Sequence, residues 1–298
     1  MAGMFASVEA KRFLGFAKLL FELGLVLVFV YLCTIKWGDI SAIVSGVDYR
    51  ILLLVVLVLT LAHIAAPLAA KQILAMQGVH ASYVFLFRIH VLRLPGKYIP
   101  GGIWHSVGRA MDMLDVGISK ASVARLFFYE NLFAVLVAAS VGLLLHFSVI
   151  FEVFLCVMVF VFFGALASIL FVCKTGPALR TKVSLIALCV AIYVVAWLCL
   201  ATGFVLYLWS LIPFDVSEVA AVISSYLLAW VAGVLAIFAP QGMGVFEYVF
   251  SALLWGKDVS VSVLIVIGGY RILVFLVDVL FWLFFKLTLL CFRYGDNK

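Results

Sequence analysis

Charge is the scarcest property of this chain. Only 11% of its 298 residues are charged, 68% are hydrophobic, and the mean hydropathy is +1.32. Soluble domains are about half apolar and about a quarter charged, and so few charges cannot coat a surface that faces water. A soluble globular fold is therefore excluded, and the surplus apolar surface must face lipid. No polar stretch is long enough to fold by itself, so residues 1–298 read as one transmembrane domain.

Chemical signatures are equally sparse. The six cysteines (Cys33, Cys156, Cys173, Cys189, Cys199 and Cys291) form no C-x-x-C pair. They read as small packing residues and imply no disulfide framework. The five histidines (His63, His80, His90, His105 and His146) show no H-x-x-x-H metal spacing, and there is neither a P-loop nor a nucleophile elbow. The segment GMGVFE at 242–247 carries two glycines but follows no strand, which removes a dinucleotide loop. The expectation is a protein without cofactor, metal or catalytic activity.

What the sequence has is long apolar runs. A membrane helix needs about 20 mostly apolar residues. Six stretches meet this, at 13–35, 51–76, 119–146, 148–173, 183–211 and 259–290. Lys11 and Arg12 before the first resemble a signal peptide, but the run is longer than a signal core and no cleavage pattern follows, so it reads as an uncleaved span. Two further regions, 81–117 and 217–256, are apolar but broken near the middle at Pro100-Gly101-Gly102 and around Pro240.

The basic residues assign topology. Fourteen of the 20 Lys and Arg fall on one side: Lys11, Arg12 and Lys18; Lys71, Arg88, Arg93, Lys97 and Lys120; Lys174, Arg180 and Lys182; Lys286, Arg293 and Lys298. Lys36, Arg50 and Lys257 fall on the other side, and Arg109, Arg125 and Arg271 in the membrane zone. Positive loops stay inside, so both termini are expected in the cytoplasm. The net charge of +6 then follows from topology and anionic lipid, with no nucleic-acid partner. Each broken region must enter the membrane and return on the side it left. Such re-entrant backbone survives only inside protein or beside water.

Pro100 and Pro240 are 140 residues apart, and the spans are offset by about the same amount. Each half, 1–147 and 148–298, reads span, span, broken hairpin, span. Three crossings per half invert the second half, an architecture that transporters use. The fold class expected is all-α and polytopic, with six full spans and two re-entrant broken-helix hairpins in an inverted repeat.

The charges follow the same order. Arg109 follows Pro100 on the first hairpin and Glu130 lies in the next span, whereas Glu247 follows Pro240 and Arg271 lies in the span after it. Intramembrane charges cost at least about 2.5–3.5 kcal/mol each at a helix centre, so they persist when paired or when they serve a pathway. Both readings stay open here: static ion pairs that fix packing, or a polar cavity for a charged head group. Asp278, seven residues after Arg271 on nearly the same helix face, belongs to the same set. At the breaks, helices starting after Gly102 and Gly242 would aim the amides of Ile103, Trp104 and His105, and of Gly244 and Val245, at an anionic group. The alternative is a plain loop. Arg88, Arg93 and Lys97 read as an interfacial basic stretch and Lys18 with Glu22 as a helix-face pair.

At KYIPGGIWHSVGR (97–109), Glu130, APQGMGVFE (239–247) and Arg271, the chain resembles the lysylphosphatidylglycerol synthase transmembrane-region family, over nearly its whole length. The resemblance implies a flippase-like domain of the bacterial inner membrane. Its matching positions are Pro100, Gly101, Gly102, Arg109, Glu130, Pro240, Gly242, Gly244, Glu247 and Arg271. Gln241 and Phe246 depart from the family, which usually has glycine and often arginine there. The soluble transferase region of the synthase is expected to be absent, because the chain ends eight residues after Leu290.

A phospholipid or a polyprenyl-linked or other glycolipid is the expected substrate, with a second copy or an envelope-synthesis enzyme as a further partner. Arg109 and Arg271 would neutralise a phosphate, and Glu130 and Glu247 would pair with them in the empty state. A scaffold for a glycosyltransferase or lipid-modifying enzyme, and an embedded enzyme using Glu130 or Glu247 as base, are the competing expectations.

Overall fold

A computed structural model describes residues 31, 33–99, 103–147, 177–212, 214–236, 239, 242–256 and 261–295. These residues are almost entirely helical and include no strand. In chain order the helices are α1 (Trp37–Ser45), α2 (Tyr49–Met76), α3 (Tyr83–Leu92), a 3-10 turn (Leu94–Tyr98), α4 (Trp104–Asp115), α5 (Lys120–Phe147), α6 (Pro177–Trp209), α7 (Val219–Leu235), α8 (Val245–Trp255) and α9 (Val261–Gly295).

Local chemistry sets the helix starts. The Asp48 carboxylate accepts from the Arg50 amide at 2.8 Å to cap α2, and the Ser82 hydroxyl accepts from Phe85 to cap α3. Ser119 does the same for α5 through the Ser122 amide. Each side chain satisfies an amide that the first helical turn leaves open.

Among the described residues, α2, α5, α6, the stretch Val216–Leu235 and α9 are long and apolar enough to cross a membrane. Leu53, Leu57 and Leu61 on α2, and Leu276, Leu280, Leu283 and Leu287 on α9, are exposed along the helix flanks. With no water-facing role available to such rows, they mark a multi-pass membrane protein.

Four of the expected spans thus coincide with α2, α5, α6 and α9. The expected spans 13–35 and 148–173 lie outside the described residues, apart from residues 31 and 33–35. The two broken regions differ in a way the sequence reading did not distinguish. In the first, α3 has 10 residues and rises about 15 Å, half the hydrocarbon thickness. In the second, Val216–Leu235 has 20 residues and is itself of span length.

Among the described residues the core falls into two parts. One packs Phe204, Tyr207, Tyr226, Phe246, Phe250 and Tyr270 edge-to-face and stacked between α6, α7, α8 and α9. The other packs Ala70, Ile73 and Leu74 of α2 against Leu86, Met113, Leu126 and Cys189, holding α3, α4, α5 and α6 together. Buried side chains also lock helices through backbone carbonyls. Tyr193 and Trp197 of α6 donate to the carbonyls of Glu130 and Ala134 on α5, Tyr207 donates to Val266, and Ser224 to Gly142. Such interhelical bonds are worth roughly 0.6 kcal/mol each in a membrane.

The tip of the second broken region rests on a glycine contact. Gly242 has φ +68°, and a Cβ there would sit 2.6 Å from the Gly233 Cα. Gly244 has φ +80°, but open space surrounds its Cβ direction. Gly242→Ala is expected to lose about 1–3 kcal/mol of stability from combined strain and overpacking. Gly244→Ala should lose less. Thermal unfolding in detergent measures both, and a Gly242→Ala midpoint at or above that of Gly244→Ala would contradict the contact.

Candidate functional site

Among the described residues, three polar clusters lie between the apolar helices. The first is built by spacing on α4, where His105, Arg109 and Met113 recur every four residues and form one buried face. That face meets α5. Arg109 donates twice to Glu130, Nη2 to Oε1 at 2.7 Å and Nη1 to Oε2 at 3.1 Å. The guanidinium also lies over the Phe127 ring, 5.3 Å from its centroid. Arg109 is 5% exposed, and its Nε is buried with no hydrogen-bond partner in the structure. A planar guanidinium can serve two oxygens of one carboxylate and still present a third donor edge.

The second cluster has the charges exchanged between short and long helix. Glu247 stands in the first turn of α8, where a carboxylate is favoured by the helix dipole. Its Oε2 accepts from the Gly244 amide at 2.7 Å, and its Oε1 lies 2.9 Å from Nε of Arg271 on α9. Arg271 Nη2 donates to the Gly242 carbonyl at 3.3 Å, and its guanidinium lies over Phe246 at 5.1 Å. Each arginine therefore has a carboxylate in front of it and an aromatic face beside it.

The third cluster centres on Asp278 of α9, which is 2% exposed. Its carboxylate accepts from Tyr98 at 2.8 Å, from Lys97 at 3.1 Å and from His63 Nε2 of α2 at 2.9 Å. These contacts tie the 3-10 turn that precedes Pro100 to α9. His63 stacks on Phe281 and, through Nδ1, lies 3.4 Å from His90 Nε2 on α3. The His90 ring meets His105 edge-on at 5.3 Å, and His105 Nδ1 lies 3.2 Å from the Arg93 carbonyl. Arg93 itself makes a two-bond pair with Asp112.

The structure therefore joins Arg109 with Glu130 and Glu247 with Arg271, and brings Asp278 to the first hairpin. Trp104 begins α4 and is half exposed, while His105 is buried beside His90. Pro100, Gly101, Gly102 and Pro240 lie outside the described residues.

One expectation is corrected. The Gly244 amide, expected to face an anionic ligand, is taken by Glu247, because the carboxylate three residues on reaches back to cap the helix. Lys97, from the basic stretch read as interfacial, also reaches Asp278, because the 3-10 turn places it against α9.

Sequence reasoning missed the histidine cluster. Its members come from α2, α3 and α4, with His63 and His90 27 positions apart, and no short spacing encodes such a set. The available signal was His63 itself, an ionisable residue inside an apolar span.

No protein-family model matches the chain, and no curated protein matches it.

Proposed function

We propose that this membrane protein is a translocase for a lipid with an anionic, phosphate-containing head group, with no catalysis of its own. In this reading it is an inverted repeat whose two broken hairpins alternate in access. Arg109 and Arg271 receive the phosphate, and Glu130 and Glu247 hold them neutral when the site is empty. Glu pairing keeps each guanidinium solvated by protein at the midplane, where an uncompensated charge is expensive. A phosphate that offers the same bidentate geometry can exchange with the carboxylate.

The observation that carries the reading is the pair of Arg–Glu contacts, one between each short hairpin helix and its following span, with the signs exchanged. Packing supports the repeat. The second spans of the two halves, α2 and α6, pack on each other. The partnership of α5 with α7 has a counterpart in that of α9 with α3, that of α2 with α3 in that of α6 with α7, and that of α4 with α5 in that of α8 with α9. The resemblance of 97–109 and 239–247 to the lysylphosphatidylglycerol synthase transmembrane region points to the same class, and would place the protein in a bacterial inner membrane with both termini cytoplasmic.

Reconstitution in vesicles with fluorescent phosphatidylglycerol and fluorescent polyprenyl phosphate tests it. The native protein should speed transfer of at least one lipid between leaflets. Arg109→Ala and Arg271→Ala should abolish that transfer while each variant still purifies as folded protein. Unchanged transfer in both variants rejects the assignment.

A further inference from the structure

One face of α9 carries an ionised group for each broken region. Arg271 and Asp278 are seven residues apart, so they share that face and stand about 10 Å apart along the axis. Arg271 meets Glu247 and the Gly242 carbonyl at the second break. Asp278 meets Lys97 and Tyr98 beside the first. Phe275 lies between the two positions and takes the Tyr98 ring edge-on, with centroids 4.6 Å apart. Two cations, Lys97 and Arg271, therefore stand at the two ends of one aromatic patch.

Lys97 is held in a way that lets its charge be lent. Its side chain is 36% exposed, whereas that of Asp278 is 3% exposed. The carboxylate has two further donors, the Tyr98 hydroxyl at 2.8 Å and His63 Nε2 at 2.9 Å. When the ammonium turns away, Asp278 keeps both of these hydrogen bonds and is not stranded. Glu247 likewise keeps the Gly244 amide when Arg271 turns. The backbone that carries Lys97 is pinned. A Cβ on Gly96 would sit 2.8 Å from the His105 amide nitrogen, so the 3-10 turn lies directly against α4. Only the four-carbon stem of the lysine has to move, and that stem is flexible.

We infer that Lys97 and Arg271 form a two-cation seat for one head group, and that the seat selects a terminal phosphate monoester over a phosphodiester. A monoester carries close to two negative charges near neutral pH, and a phosphodiester carries one. Two cations brought to one group match the first and leave the second with a surplus. The identity of the ligand as a lipid rests on the translocase reading. To that reading the seat adds Lys97 as a binding residue and the charge of the head group.

Isothermal titration of the full-length protein in a neutral maltoside detergent tests this. The ligands are farnesyl phosphate and dihexanoyl phosphatidylglycerol, at about pH 8, where the monoester is a dianion. The native protein should bind farnesyl phosphate at least about tenfold more tightly. Lys97→Met should bring the two affinities together, and Lys97→Arg should keep the preference. In the double variant Lys97→Met, Asp278→Asn no carboxylate is left without its cation, so the fold is spared, and the preference should still be absent. A native protein without the preference, a Lys97→Met variant that retains it, or a double variant that regains it overturns the inference. Inorganic phosphate at the same concentration as the lipid should not displace farnesyl phosphate. Displacement would make free phosphate the ligand and overturn the lipid assignment. The readout is an affinity ratio and not lipid movement, so a protein that shows the preference but transfers no lipid defeats the translocase reading alone.

Discussion

Glu130→Ala should destabilise the folded protein by about 3–5 kcal/mol, because it strands a buried guanidinium. Arg109 directs two hydrogen bonds at Glu130 and is almost wholly enclosed, with Phe127 on one face. An alanine supplies no acceptor for either of the two donors. The corresponding change at the second pair should be milder. Arg271 is 28% exposed at its side chain and keeps the Gly242 carbonyl as an acceptor when Glu247 is removed. The expected order of loss, Glu130→Ala greater than Glu247→Ala, is measurable from unfolding midpoints in one detergent. Equal losses would mean that the enclosure of Arg109 is not what makes its partner necessary.

The second large effect separates structure from transport. In the double variant Arg109→Met, Glu130→Met both charges leave together, and apolar side chains of similar length fill the space. Replacing a buried ion pair in this way is often neutral or stabilising, since the desolvation of two ions is avoided. Stability should therefore return to near the native level, while lipid transfer should be lost. A double variant that folds and still transfers lipid would reduce the pair to a packing element. The static ion-pair reading would then account for the charges on the first hairpin.

Much of this arrangement was legible in the residues because the physics that produces it is local. Spans α2, α5, α6 and α9 are uninterrupted apolar runs, and nothing but a helix satisfies their backbone in lipid. The Arg109–Glu130 and Glu247–Arg271 contacts were readable because an ionised side chain in an apolar run needs an opposite charge, and each half offered one candidate across its break.

The parts that were not legible depend on three-dimensional proximity. Lys97 looks like any interfacial lysine until the 3-10 turn delivers it to Asp278, 181 positions away. His63, His90 and His105 are unremarkable one at a time and become a chain only when α2, α3 and α4 meet. The difference in length between the two broken regions, by contrast, is written in the residues: Arg88, His90, Arg93 and Pro95 interrupt the run after Ser82, whereas Val219–Leu235 carries no charge, and α3 has 10 residues against 17 in α7. Phe246 shows how a departure from an expected motif is absorbed: where a further arginine would add charge, the ring provides a face for Arg271.

The central claim is that an anionic head group exchanges with a carboxylate on Arg109 or Arg271. A structure of the protein saturated with the phospholipid or polyprenyl phosphate that it transfers in vesicles tests this most directly. The account predicts phosphate oxygens within about 2.7–3.1 Å of one of these guanidinium groups, with Glu130 or Glu247 turned away from its arginine. Lipid density whose phosphate lies elsewhere, with both Arg–Glu pairs intact, would contradict it.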